Sequence, residues 1–249
     1  NLVPDNRLPY IAEVQGAFAT PWRAVVVTAR DADILNCDMA QRLAEPCRLD
    51  DVSWIRPGKV AWDWWNNNNI TGVDFVAGMN TDTYKAYIDF ASANGLEYII
   101  IDEGWSGGGM RNVGPVRADA LFEINPAMDI DALIAYGNYK GVGIILWSSW
   151  IDMIAGDPVN GYASTEKMMA HYAAKGIKGF KVDFIDRDDQ VALSSMYRIA
   201  GIAAKYHLLL DYHGMHPIGI QRTYPNVVNF EGVKGMENSK WEQRGPRGP

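Results

Sequence analysis

The run Val142-Gly143-Ile144-Ile145-Leu146-Trp147-Ser148, the stretch from Ser164 to Lys175 and the run Gly179-Phe180-Lys181-Val182-Asp183-Phe184 together decide the fold. The outer two are short and almost continuously apolar, which is how strands covered on both faces read. The middle stretch reads as a helix. Strand, helix, strand in that order is the repeating unit of a parallel sheet, because parallel neighbours need a long crossover between them.

The alternation extends in both directions. Upstream, 59–65 and 97–102 read as strands, and Thr81 to Asn94 reads as a helix with Tyr84, Tyr87, Ile88 and Ala91 on one face and a stop at Gly95. A further helix is predicted over 129–139. Downstream, a helix over 188–206 is followed by strands over 208–212 and 227–231. An open doubly wound sheet would alternate in the same way. It is disfavoured because the glycine fingerprint of dinucleotide binding is absent after the first strand, while polar residues end almost every strand, as they do at a barrel mouth. The fold class is therefore α/β, a (β/α)₈ TIM barrel. Only six strands are predicted, and Arg244 to Pro249 cannot supply two more units, so the expectation is a barrel truncated after about strand six, occupying 58–249. Before it, Trp-Arg-Ala-Val-Val-Val-Thr-Ala at 22–29 reads as the last strand of an all-β unit ending near residue 30, and 31–57 reads as a linker.

Bulk properties narrow the function. A chain of 249 residues matches the roughly 250 that a barrel needs. The net charge of −7, without a run of like charges, argues against nucleic acid as a partner. The longest apolar runs fall far short of the roughly 20 residues that span a bilayer, so no membrane span is expected. The opening residues lack the pattern of a signal peptide, so the chain is either mature or lacks its original start. Cys37 and Cys47 could form a local disulfide or remain free thiols. Nine Trp and twelve Tyr suit a protein that stacks on sugar rings, although most of them must be core.

In a parallel barrel the chemistry sits at the carboxyl ends of the strands. Here those ends carry Asp63-Trp64-Trp65, Asp102-Glu103-Gly104-Trp105, Trp147, Lys181-Val182-Asp183, Asp211-Tyr212-His213-Gly214 and Glu231, with Glu237 shortly after. Converging carboxylates and tryptophans suit glycosidic bond cleavage, which needs one carboxylate at the anomeric carbon and another to protonate the departing oxygen. Asp183 is the nucleophile candidate, with Lys181 compensating its charge in an apolar strand. A buried Lys–Asp pair that merely holds the barrel would look the same in sequence. His213 and His216 lack the third ligand that a zinc site requires.

Three segments carry a specific resemblance: Gly179-Phe-Lys-Val-Asp-Phe184, Tyr98-Ile-Ile-Ile-Asp-Glu-Gly-Trp105 and Asn229-Phe-Glu-Gly-Val-Lys-Gly-Met-Glu237. Together they resemble glycoside hydrolase family 97, calcium-dependent α-glucosidases and α-galactosidases with an N-terminal β-sandwich ahead of the barrel. The Lys-x-Asp also resembles the related α-galactosidase families 27 and 36. In the family's inverting type a glutamate base follows the Tyr-His of strand five and strand four lacks the aspartate. Here Gly214 follows Tyr212-His213 and Asp183 is present, which is the retaining pattern. The resemblance implies an exo-acting α-galactosidase working by double displacement, with Asp183 as nucleophile, Glu237 as acid/base and Glu231 as a Ca2+ ligand. The ordinary alternative for Glu231 is an ion pair with Lys234 or Arg222. Asp102, Glu103, Trp105, Lys181, His213 and Trp64 are the substrate-binding candidates, although Asp102 and Glu103 could equally serve the turn before Gly104. The implied substrate is an oligosaccharide or other α-galactoside, and the implied location is periplasmic or secreted. A retaining α-glucosidase would use the same catalytic residues, and a non-catalytic carbohydrate-binding barrel would have no use for both Asp183 and Glu237.

Overall fold

Strands form where the apolar runs fall: β1 (Val60–Trp62), β2 (Tyr98–Ile101), β3 (Gly143–Ser149), β4 (Gly179–Asp183), β5 (Leu209–His213) and β6 (Val227–Glu231). They belong to a computed structural model that describes residues 10–19, 24–107, 119–154, 162–235 and 237–238. All five pairings are parallel, in the order β1-β2-β3-β4-β5-β6. The helices are α1 (Ala32–Leu35), α2 (Met39–Leu43), α3 (Thr81–Ala93), α4 (Ile130–Lys140), α5 (Trp150–Met153), α6 (Ala163–Lys175), α7 (Gln190–Lys205) and α8 (Ile220–Thr223). Every crossover thus contains a helix, and the sheet is the half-barrel that alternating strands and helices predict. None of these helices is long and apolar enough to cross a membrane, among the described residues.

Local chemistry sets the helix ends. The Asn80 side chain accepts from Thr83 N, Asp129 from Ala132 N and Asp189 from Ala192 N, so each satisfies a backbone donor that the first turn leaves open. The cap of α3 is therefore Asn80 rather than Thr81. Gly141 and Gly176 close α4 and α6 with φ of 73° and 107°, a region where a side chain would be strained.

The strand register separates two kinds of side chain. Ile101, Leu146, Phe180 and Leu210 are register partners in sequence across β2 to β5 and are fully buried, forming one apolar row of the core. Removing any of these from water contributes about 1.5–3 kcal/mol. One residue further along, the row Trp147, Lys181, Asp211, Asn229 lies on the opposite face, because successive strand residues alternate. Two residues beyond that row come Asp183, His213 and Glu231, the last two being register partners. The polar groups are thus collected on one face and at one end.

Before Gly58, the described part of the expected strand, residues 24–28, has no strand assigned, and Val25 and Val27 are exposed. The expected linker is partly ordered, because it contains α1 and α2 and packs beside α8. There Arg222 donates to the carbonyls of Gln41 and Arg42, and Thr223 Oγ1 donates to Glu45 O at 2.9 Å. Cys37 and Cys47 are free thiols.

Candidate active site

Lys181 is the centre of the polar face. Its ammonium donates to Asp102 Oδ2 at 2.7 Å and reaches Asp183 Oδ2 at 2.9 Å, and it lies 4.7 Å from the centre of the Trp62 ring. Burial opposes the charge, but the two carboxylates outweigh it and raise the Lys181 pKa, so the ammonium stays protonated. Asp102 Oδ2 also accepts from Trp62 Nε1 at 2.5 Å. Asp183 Oδ2 accepts from Trp147 Nε1 at 3.1 Å, and Oδ1 from Phe184 N at 2.7 Å. That last bond goes with an unusual backbone: Phe184 has φ of 60°, a left-handed conformation that costs energy in a residue with a side chain. Burial pushes the Asp183 carboxyl up, yet Lys181, His213 and the donated hydrogen bonds more than compensate and hold it below its ordinary value. Asp183 is therefore an anion in a mostly buried setting.

A second group adjoins it. His213 Nε2 lies 3.0 Å from Asp211 Oδ2, and His213 Nδ1 lies 2.8 Å from Glu231 Oε2. Burial works against protonation, but these two carboxylates raise the pKa to about 9, so at neutral pH both ring nitrogens donate. Asn229 Nδ2 donates to the remaining Asp211 oxygen at 3.0 Å. Asp183, Phe184, Gly214, His216, Glu231 and Asn238 line an open cleft of about 460 Å³. Glu103 is half-buried, and burial, Asp102 and Asp183 raise its pKa. Its Oε1 is buried and has no hydrogen-bond partner among the described residues.

The structure brings together Asp102, Glu103, Lys181, Asp183, His213 and Glu231. Glu237 is buried just beyond β6; a side chain at Gly235 would overlap its carboxylate, and its neighbour Asn238 lines the cleft. Two tryptophans lie elsewhere. Trp105 is fully buried, donates to Trp147 O at 2.9 Å and meets the Tyr172 ring edge-on at 5.4 Å, so its faces are occupied by core rather than open to a sugar. Trp64 is 41% exposed on the 3-10 turn after β1 and is not among the residues lining the cleft. Glu231 pairs with His213, while Arg222 is turned to the linker carbonyls. Among the described residues no three of His, Cys, Asp and Glu are grouped to hold a metal ion. Calcium takes six to eight oxygens, so Glu231 alone does not make its site.

Sequence reasoning gave no site role to Trp62 or Asn229, nor to Asp211, which it set at the barrel mouth. Their signal was the two-residue spacing of polar groups at strand ends, Lys181/Asp183, Asp211/His213 and Asn229/Glu231, which puts each pair on one face. Asp63, set at the same mouth by its place in the sequence, is instead fully buried just after β1 and aimed at α3. Asp63 accepts from Trp64 N at 2.6 Å, from Asp102 N at 3.1 Å and from the Tyr84 hydroxyl.

Comparison with known proteins gives the family. The sequence model of the family Glycoside hydrolase 97 matches residues 64–233. The chain belongs to glycoside hydrolase family 97. The family's N-terminal region, Glycosyl-hydrolase 97 N-terminal, matches residues 7–46. A curated "Retaining alpha-galactosidase" of Bacteroides thetaiotaomicron is 50% identical over 237 residues, covering 93% of this chain and 33% of that protein. A "Probable retaining alpha-galactosidase" of Streptomyces bingchenggensis is 33% identical over 226 residues, covering 89% of this chain and 32% of that one. Among solved structures, a variant of a family 97 enzyme from Pseudoalteromonas sp. strain K8 superposes with a TM-score of 0.69 at 27% identity, covering 84% of this chain and 34% of that chain. The chain spans about a third of the length of the curated relatives it matches.

Proposed function

We propose that this chain carries the catalytic centre of a retaining, exo-acting α-galactosidase, with Asp183 as nucleophile and Glu237 as acid/base. The observation that carries this reading is the Asp183 carboxylate, held as an anion by Lys181 at 2.9 Å and Trp147 at 3.1 Å, and opening onto the cleft. A nucleophile must be ionised before substrate arrives, and fixed donors achieve this without solvent.

In the first step Asp183 attacks the anomeric carbon, the bond to the leaving oxygen breaks, and Glu237 gives that oxygen its proton. In the second, Glu237 takes a proton from water, whose oxygen displaces Asp183, and the anomeric configuration is restored. Asp102 and Glu103 accept hydrogen bonds from the sugar's hydroxyls, while Lys181 and His213 contribute positive charge beside Asp183. The retaining reading gains support at Gly214. Its φ is 75°, and a Cβ there would lie 2.6 Å from Asp186 Oδ1, so the glutamate base of the inverting type has no room. Galactose as the sugar rests on the two relatives described as retaining α-galactosidases. Calcium at Glu231 belongs to the same proposal, with its other ligands outside the described residues, and no step above passes through it. So do a β-sandwich ending near residue 30 and a periplasmic or secreted location.

The test is turnover of para-nitrophenyl α-galactoside against the α-glucoside by the full-length protein, with the first product followed by proton NMR. α-Galactose as first product, lost in D183G and partly replaced by β-galactosyl azide when azide is added, supports the assignment. β-Galactose as first product overturns it.

A further inference from the structure

The mechanism above leaves the buried carboxylate of Asp63 without a task. Asp63 follows β1 as the cap of the 3-10 turn Trp64–Asn66, with helical φ and ψ of −68° and −39°, and its carboxylate meets Tyr84 of α3 while the Trp62 ring faces Lys181. It is fully buried and faces no part of the cleft, so it cannot touch a sugar. Burying a carboxylate is costly, and here the cost is offset by three donors of which one, the backbone N–H of Asp102 at 3.1 Å, belongs to the residue that receives Lys181.

We propose that Asp63 is a positioning residue: it fixes Asp102 and, through Asp102, holds Lys181 against the Asp183 carboxylate. The chain of contacts is continuous. Asn68 Nδ2 donates to the Tyr84 hydroxyl at 3.0 Å, that hydroxyl donates to Asp63 Oδ2, and the same oxygen takes the Asp102 N–H. The Asp102 side chain is clamped between Trp62 Nε1 and Lys181 Nζ, at 2.5 and 2.7 Å, and Lys181 spans to Asp183. The loop after β1 is shaped for this, because Asn67 and Asn68 both adopt φ of 55°, a conformation asparagine tolerates better than most residues. Burial and the charge of Asp102 push the Asp63 carboxyl up to about 7, the signature of a carboxylate retained at an energetic cost. Its charged and titratable neighbours are Asp102 just after β2 with Tyr84 and Tyr87 on α3; those acting on Asp183 are Lys181 on β4, His213 on β5 and Glu103 after β2.

The inference rests on Asp183 being the nucleophile, and the experiment separates the two. D63A, D63N and D183G are made in the full-length protein and assayed on whichever aryl glycoside the wild type cleaves. Loss of turnover in D183G upholds the nucleophile, independently of Asp63. D63A should then lower kcat at least tenfold with KM within about threefold. It should also move the acid limb of kcat/KM to higher pH, because a loosened Lys181 no longer holds Asp183 down. D63N, which keeps one oxygen for the Asp102 N–H, should show the same changes to a smaller extent. A residue that served only folding would leave the acid limb in place, and a limb moved to lower pH would mean that Asp183 is held no less firmly without Asp63. Either result overturns the proposal. Should D63A fail to fold, the direction of the limb in D63N decides alone.

Discussion

Replacing Lys181 by methionine tests the electrostatic core directly. Methionine keeps the length and packing of the stem and removes only the charge, leaving Asp102 and Asp183 to face each other from opposite sides of the vacated ammonium. At an effective dielectric of about 20, a unit charge at 2.7 Å attracts its partner by roughly 6 kcal/mol, and the contact at 2.9 Å gives nearly the same. Much of that is cancelled by the cost of taking Lys181 out of water, and measured losses on breaking buried pairs run to about 3–5 kcal/mol. K181M should therefore lose about 3–5 kcal/mol at pH 7 in equilibrium urea denaturation, a large share of the 5–15 kcal/mol typical of a domain. Adding D102N to K181M should then recover stability, about 1 kcal/mol or more, because it removes a charge that no longer has a partner. A K181M loss below about 1 kcal/mol, or a D102N cost that simply adds to it, would refute the view that Lys181 neutralises both carboxylates.

Asp63 makes stability depend on pH. Its carboxyl, raised from 3.8 to about 7, binds a proton more tightly in the folded chain than in the unfolded one, so its contribution to stability is full below pH 4 and is lost as pH rises to 7. The melting temperature of D63N relative to wild type should accordingly climb between pH 4 and 7, and a flat or falling difference would contradict the assignment. W105A should cost about 3–5 kcal/mol in unfolding free energy while leaving the KM of the enzyme that still folds within about twofold, since the ring is packed rather than open to substrate. Exhaustive chelation of the full-length protein should reduce activity, added calcium should restore it, and E231Q should weaken calcium binding measured by calorimetry; unchanged binding in E231Q would remove Glu231 from the ligand set.

The strands were legible because both faces of β2 to β5 are covered, so their composition is apolar whatever the register. Runs such as Ile99-Ile100-Ile101 admit no other reading next to a helix capped on each side. The candidate nucleophile was legible for the opposite reason: Asp183 beside Lys181 in an apolar strand is an expense that demands an explanation. What composition could not reveal is direction. Trp105 follows one apolar strand and Trp147 lies near the end of the next, yet one ring packs against Tyr172 while the other donates to Asp183. A tryptophan suits a sugar platform and a core equally well, and only the rotation of the chain after Gly104, with its φ of 106°, decides between them. At 24–28 the limit is of a related kind, since strand propensity says that a segment can pair but not that a partner is present.

Asp63 and Asp183 show how the same expense serves different ends within one sheet. Both are carboxylates at strand ends and both are largely removed from water, but burial wins at Asp63 and the neighbouring cation wins at Asp183. The difference is where each side chain is aimed. Asp183 points to the face where Lys181 stands, and Asp63 points to the helix layer, where its partners are a phenol and two backbone N–H groups. Neutral donors stabilise an anion less than an ammonium does, so Asp63 lies near the point of protonation while Asp183 does not approach it. A carboxylate aimed at a buried ammonium is therefore a fixed anion, and one aimed at a phenol and backbone N–H groups is a titrating one, although the two residue types are identical.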